Sequence, residues 1–502
     1  MNRDQELVIR ALLGRNDVYG MVGKSDDALA DSIKALTISE RSRSKQHIAD
    51  SLISVSNAYG SISKYRAMLA VTKRSLALHE ELKDQKGIAH NLNDIAYVHE
   101  HLGEYQKALA FYTRALRAGK KTDNRHGRGI TLNNIGFVHH RLGNYRKALA
   151  YYERSLKIFK KASDLYAVGI TMNNMGLSYE RLGDYRATLE YYQNSLKIRE
   201  EIGDRTDQGM SHNNIGVLHY RLGDYQKVLE CSQKALAIRE AIGDRRGQSI
   251  SVNNIGYMHE RLGDYQAALK YYKRALKIQT TIGDRQAAGI TLNNIGFTHG
   301  RLGDHKGALK CLKDSLKIRE DITDRPGQAI TFTNMGIIHM ENGDIRKARE
   351  NLIRADKIGR RLKDKDIMQK TAVAFGGLEL ATRGTGSKAK VYAETAMKLA
   401  GELKSKAGRA EALLLQARID MAKDNERAAE GKFSETIAIF EELKLPYDIG
   451  RANYFYGAAL KQAGRDGDGN LKKAREIFAR LGVNTWRLKV NQTLDRIVKE
   501  AK

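Results

Sequence analysis

Histidine recurs at His99, His139, His219, His259, His299 and His339, always at multiples of 40 residues, with Tyr179 in the one gap. Imidazole is the commonest metal ligand, so this column is the first candidate for chemistry. Ligands of one ion must converge to about 2.0–2.1 Å from it, whereas packed helices alone stand about 8–10 Å apart. Residues one period apart cannot share an ion, and the column reads as aromatic packing. Gly23-Lys24-Ser25 resembles the end of a phosphate-cradling loop, but Val18 stands where that loop needs a glycine. Cys231 and Cys311 are the two thiols, 80 positions apart at the same place in the period. They fall on different helices, so no disulfide is expected and a reducing cytoplasm fits. Nucleophile elbows, paired carboxylates and metal-spaced cysteines are all missing from the sequence. The expectation is a chain with no catalytic residue, metal or cofactor, and therefore no enzyme.

The residues that do repeat have the chemistry of recognition. Asn133, Asn173, Asn213, Asn253 and Asn293, preceded by Asn93, form one column; Asn134, Asn174, Asn214, Asn254 and Asn294, followed by Asn334, form a second. Arg141, Arg181, Arg221, Arg261 and Arg301 form a third, and Tyr97, Phe137, Leu177, Val217, Tyr257, Phe297 and Ile337 an apolar fourth. A side-chain amide offers one donor and one acceptor group, which matches a peptide unit of a bound backbone. Arginine grips carboxylates in a two-pronged fork, and the apolar column supplies area that water gives up. The net charge of +27 favours an acidic partner, although solvated Lys and Arg on a long exposed protein would give the same value. Helical repeats can read RNA one base per unit, but uniform Asn discriminates little between bases and no aromatic stacking pair recurs, which disfavours nucleic acid.

Positioning such columns needs a regular scaffold. Gly136, Gly176, Gly216, Gly256, Gly296, Gly336 and Gly376 keep the same step of 40, as do Gly103, Gly143, Gly183, Gly223, Gly263, Gly303 and Gly343. At 502 residues the chain exceeds one ordinary core, so it grows by repetition. Its 2 prolines favour long helices. In the unit Asp204 to Asp244, Asp204 can cap a first helix, on which Ile215, His219 and Leu222 share a face. Gly223 suits a left-handed helix end and Asp224 caps a second helix, which turns Tyr225, Val228, Leu229, Ala235, Leu236 and Ile238 inward. Gly216 inside the first helix costs about 1 kcal/mol against Ala, which predicts close passage of a neighbouring helix. No stretch of about 18 apolar residues could span a membrane, and Met1 to Arg10 has no apolar core of a secretion signal.

The pattern Asn-Ile-Gly, then Leu-Gly-Asp-Tyr, then a small residue, an aromatic and Ala-Leu resembles the tetratricopeptide repeat; Ile255, Gly256, Tyr265, Ala268, Tyr272 and Ala275 carry it in one unit. That family's usual period is about 34. The longer period and the Gly-Asp-Arg junctions at Gly203, Gly243 and Gly283 are similar to the Pins/LGN group and to bacterial signalling proteins of this kind. The resemblance implies an all-α superhelix of about twelve helix pairs plus a C-terminal capping helix. It divides into degenerate repeats over 1–80, a regular array over 81–360 and divergent repeats with the cap over 361–502. It also implies that the first helices line a concave groove, so that the Asn, Arg and apolar columns hold a peptide over Asn133 to Arg301, Tyr257 and Phe297 included. Ser54, Thr333, His101 and Glu341 break the columns at either end. Gly464 to Gly469 reads as an inserted loop, Asn484 to Lys499 as the cap and Trp486 as part of its packing. The expected protein is a cytoplasmic scaffold for an acidic peptide segment. The rival is a regulatory arm of a signalling system whose effector lies on another chain, and the Pins/LGN G-protein-binding motifs are not found.

Overall fold

The computed structural model describes residues 3–21, 25–382 and 386–500, so Gly23 and Lys24 lie outside the described residues. The described residues form 25 α-helices and no strand: twelve consecutive antiparallel pairs from Arg3–Met21 to Asp468–Arg480, then a last helix, Asn484–Glu500. None of these helices is long and apolar enough to cross a membrane. The chain forms two compact units, Met1–Asp207 and Gln208–Lys502.

Junction chemistry explains where each helix stops. Asp184 Oδ1 accepts from Ala187 N at 3.0 Å, and Asp264 and Asp304 cap Ala267 and Gly307 in the same way at 3.1 and 2.8 Å. Each such cap satisfies an orphan N–H of the first turn. The preceding residue Gly183 has φ +80°, a left-handed conformation that any Cβ would strain. Asp204 caps as the sequence predicts, accepting from Asp207 N at 3.1 Å. Pro326 and Pro446 sit in the first turns of their helices, where no N–H is missed. The helix Asp468–Arg480 begins inside the predicted 464–469 loop, because Asp468 and Gly469 already belong to its first turn.

The helical glycines have a packing reason. A Cβ on Gly136, Gly176 or Gly256 would stand 2.7, 2.6 or 2.8 Å from the ring of Tyr152, Tyr192 or Tyr272. Each tyrosine lies on the second helix of the same pair and is fully buried. The close neighbour is therefore the pair's own partner helix. Tyr112, Tyr192 and Tyr272 donate to Glu100, Glu180 and Glu260 on the first helix, each at 2.9 Å. Burial pushes the Glu260 carboxyl up, and this hydroxyl bond, with the Arg301 and Arg261 charges, pulls it back. Three histidines of the column pack as aromatics: His99, His139 and His259 stack on Phe111, Tyr151 and Tyr271 at 5.3–5.4 Å. Tyr179 fills the gap against Tyr191 at 5.2 Å.

Candidate functional site

In the first unit, Asn133, Phe137 and Arg141 follow one another at helical spacing along Arg125–Arg141, and Asn173, Leu177 and Arg181 repeat this on Leu165–Leu182. Asn133, Asn134, Asn173 and Asn174 are half-buried, while Arg141 and Arg181 are exposed. Asn174 Nδ2 donates to Asn133 Oδ1 across the two helices at 3.3 Å. Asn174 of the second column thus has a structural job, since it ties its helix to the preceding first helix through Asn133, whereas Asn93 Oδ1, one repeat earlier, is buried with no hydrogen-bond partner among the described residues. The Asn174–Asn133 bond also orients the Asn133 amide, since its oxygen is the acceptor. Arg141 leans on the Tyr105 hydroxyl, with Nε 3.3 Å away. One repeat earlier Asp94 replaces the second Asn; it is buried, and burial pushes its carboxyl up to about 6 against the nearby His90.

The same bond recurs in the second unit. Asn254 Nδ2 donates to Asn213 Oδ1 and Asn334 Nδ2 to Asn293 Oδ1, both at 3.1 Å. Asn253 Oδ1 accepts instead from Thr291 Oγ1 at 3.0 Å. Asn213, Asn214, Asn253, Asn254 and Asn294 are half-buried, whereas Asn293 is buried. Arg221 and Val217 are exposed.

Arg261, Arg301, Tyr257 and Phe297 have a different setting, which the sequence reading missed: the chain's own C-terminal repeats pack against them. The Arg301 Cζ lies 3.6 Å from the centre of the Tyr447 ring and 4.7 Å from that of Phe297. Its Nη1 is 4.0 Å from Asp448 Oδ1. Leu445 and Phe440 join Tyr225, Val228 and Met258 in one buried cluster, against which Tyr257 packs. Leu481, Trp486 and Tyr447 join Tyr265 and Leu302 in another. Trp486, expected to pack the cap, stacks on Phe478 at 5.5 Å and meets Tyr447 edge-on at 6.4 Å. Tyr257 and Tyr220 share a hydroxyl bond of 2.9 Å. Arg418 lies 4.0 Å over Phe455, and burial, with the Arg451 charge beside it, pushes its guanidinium down to about 10.

Paired helices repeating every 40 residues and presenting an amide–guanidinium stripe define an all-α helical-repeat protein. The tetratricopeptide repeat profile matches residues 87–161, 168–241, 248–321 and 288–360, more than half of the chain. The chain belongs to the tetratricopeptide repeat family. Its structure is similar to a signal transduction ATPase with numerous domains from Pyrococcus horikoshii that carries a tetratricopeptide repeat sensor. The identity is 19%, covering 74% of this chain and 55% of that one, with a TM-score of 0.57. It is also similar to the apo form of the quorum sensor NprR from B. thuringiensis, at 17% identity over 72% of this chain and 99% of that one, with a TM-score of 0.51. At such identities the likeness is one of fold. No curated protein matches the chain.

Proposed function

We propose that the chain is a non-enzymatic binding protein whose first helices hold an acidic polypeptide segment along the Asn–Arg stripe. One observation carries the reading: exposed Arg141, Arg181 and Arg221 recur beside half-buried Asn pairs, and side-chain bonds between first helices keep those pairs in register. Within each unit, a guest carboxylate meets a guanidinium and a guest carbonyl meets an amide N–H. The free thiols Cys231 and Cys311 suit a reducing compartment, and we assign the protein to the cytoplasm.

The test uses a fluorescently labelled random Glu/Tyr copolypeptide and fluorescence anisotropy at two salt concentrations. Arg141→Glu/Arg181→Glu/Arg221→Glu should weaken binding at least tenfold, and higher salt should weaken it for the native chain. Lys157→Glu/Lys197→Glu/Lys277→Glu makes the same charge change on exposed positions of second helices, and should lower affinity much less. Equal losses in the two triple variants would reduce the interaction to net charge and end the stripe reading. Tighter binding of a single-stranded RNA homopolymer than of the copolypeptide would also end it.

A further inference from the structure

The junction before the helix Pro446–Gln462 keeps the left-handed turn of the regular junctions, at Lys444, but not their aspartate cap. Regular units read Gly243-Asp244-Arg245 or Gly283-Asp284-Arg285, with the aspartate capping the next helix. Here the chain reads Lys444-Leu445-Pro446-Tyr447-Asp448, and the helix starts on Leu445 with no side-chain cap. An apolar residue has replaced the cap, and an aspartate stands at the third helical position, which Asp207 also holds in one regular unit and Gly or Ala in its neighbours. The lost cap weakens the helix start, whereas the first-turn acid suits it and pairs with Arg451 of the same helix at 3.4 Å. Both residues also reach beyond the repeat: Leu445 is 2% exposed against the array, and Tyr447 and Asp448 cover Arg301 at 3.6 and 4.0 Å.

We propose that Tyr447–Asp448 is an internal occupant of the Arg261–Arg301 end of the stripe, exchanged for an external polypeptide segment bearing an aromatic residue followed by a carboxylate. The inference rests on the reading of the stripe as a polypeptide site. The internal pair offers the two groups that this site would seek, a ring for the guanidinium face and a carboxylate for its edge. It satisfies the site incompletely. Asp448 is shared with Arg451, whose Nη1 is nearer at 3.4 Å. Arg261 Nε is buried with no hydrogen-bond partner among the described residues. A cavity of about 20 Å³ remains among Glu260, Arg261, Arg301 and Asp448. A guest carboxylate free of Arg451 can make the forked bonds that Asp448 does not, and its binding lifts the C-terminal repeats from the array.

The exchange can be locked chemically. A Cβ on Gly303 would lie 3.2 Å from Thr485 Cβ, slightly closer than the roughly 3.5–4.5 Å of a disulfide, so the pair can be bridged once the two helices part by a few tenths of an ångström and the left-handed backbone of Gly303 accepts a side chain. The full chain carrying Cys231→Ser, Cys311→Ser, Gly303→Cys and Thr485→Cys is compared oxidised and reduced, with the labelled Glu/Tyr copolypeptide as probe. An Arg141→Glu/Arg181→Glu background removes the first unit's share of the binding. The reduced form should bind at least tenfold more tightly than the oxidised one, and Tyr447→Ala/Asp448→Ala in the same background at least tenfold more tightly than the unlocked parent. The Ala pair decides the matter alone if the cysteine variant does not fold. Equal affinities throughout, or no binding by any form in this background, overturn the internal occupant. The stripe reading fails separately, when the chain with Arg141 and Arg181 restored also leaves the probe free.

Discussion

Gly176 and Gly216 occupy the same place in consecutive repeats, and the structure predicts opposite outcomes for replacing them with alanine. Removing glycine from a helix interior gains about 0.8–1 kcal/mol in either case. At Gly216 the new Cβ would meet its closest neighbour, Cys231 Cβ, at 3.4 Å, an ordinary contact. Most of that gain is kept, and Gly216→Ala stabilises its helix pair by about 0.5–1 kcal/mol. At Gly176 the Cβ would stand 2.6 Å from two ring carbons of Tyr192. That ring is 1% exposed and its hydroxyl is held by Glu180 at 2.9 Å. Overpacking costs about 1–3 kcal/mol, and moving the ring also weakens a charged hydrogen bond worth about 1.5–3 kcal/mol. The net expectation is destabilisation of about 1–3 kcal/mol. Repeat arrays open locally, so the assay is native-state hydrogen exchange of the amides in 165–201 and 205–241, rather than one global melt. Ser232 stands where Tyr192 stands in its repeat, 16 positions after the glycine. A Tyr192→Ser background should therefore turn Gly176→Ala from harmful to helpful, a coupling that a double-mutant cycle reads directly. The same sign for both alanines in the native background, or no change of sign with Tyr192→Ser, would refute the packing argument.

Two further tests address buried polar groups. Asp94 has a folded pKa of about 6 against an ordinary 3.8, so the native state holds its proton more tightly than the unfolded chain does. Stability is then full below about pH 4 and declines as pH rises through 6, by up to about 3 kcal/mol. Asp94→Asn should remove this decline, and its advantage over the native chain in thermal denaturation should grow between pH 4 and 7.5; a constant difference would count against the buried carboxyl. The Tyr152 hydroxyl is buried with no hydrogen-bond partner among the described residues, because His140 stands where Glu100, Glu180 and Glu260 stand in the tyrosine-bonded repeats. Tyr152→Phe should be neutral or stabilising, while Tyr272→Phe, which leaves the buried Glu260 only the Thr298 hydroxyl at 3.2 Å, should cost about 1.5–3 kcal/mol in the local exchange assay.

The fold was legible because a repeat states its rules many times over. Asp or Asn before most helices of the regular array, Gly after many of them and the inner glycine predict two helices per 40 residues, and the caps, the left-handed turns and the tyrosine contacts realise that prediction. The histidine column was readable as packing for the same reason: ions need convergence and a period forbids it. Less legible was the division of labour between the two Asn columns. Both recur with equal regularity, yet Asn174 and Asn254 spend a donor on Asn133 and Asn213. Sequence spacing places both residues on nearby strips of a helix but does not say which amide reaches the next helix, since that depends on the offset between helices.

The covering of Arg301 was not legible from periodicity at all. Its partners Tyr447 and Asp448 lie well over a hundred residues further on, and a repeat pattern predicts contacts between neighbouring units rather than between distant ones. A signal nevertheless existed in the residues that break the pattern. A helix start that gives up an aspartate cap sacrifices about 1 kcal/mol of local stability, and Leu445 does so at a position that is 2% exposed. Such a local loss persists only where another contact offsets it, and burial of a leucine side chain, worth about 1.5–3 kcal/mol, is sufficient. Departures from a consensus repeat therefore point to long-range contacts when they are unfavourable within the repeat, as at Leu445, and to simple drift when they are neutral within it. Tyr447 and Asp448 do not meet that criterion, because Tyr166 and Asp207 hold the same helical positions in regular units; what sets the later pair apart is its contact with the array's own arginine.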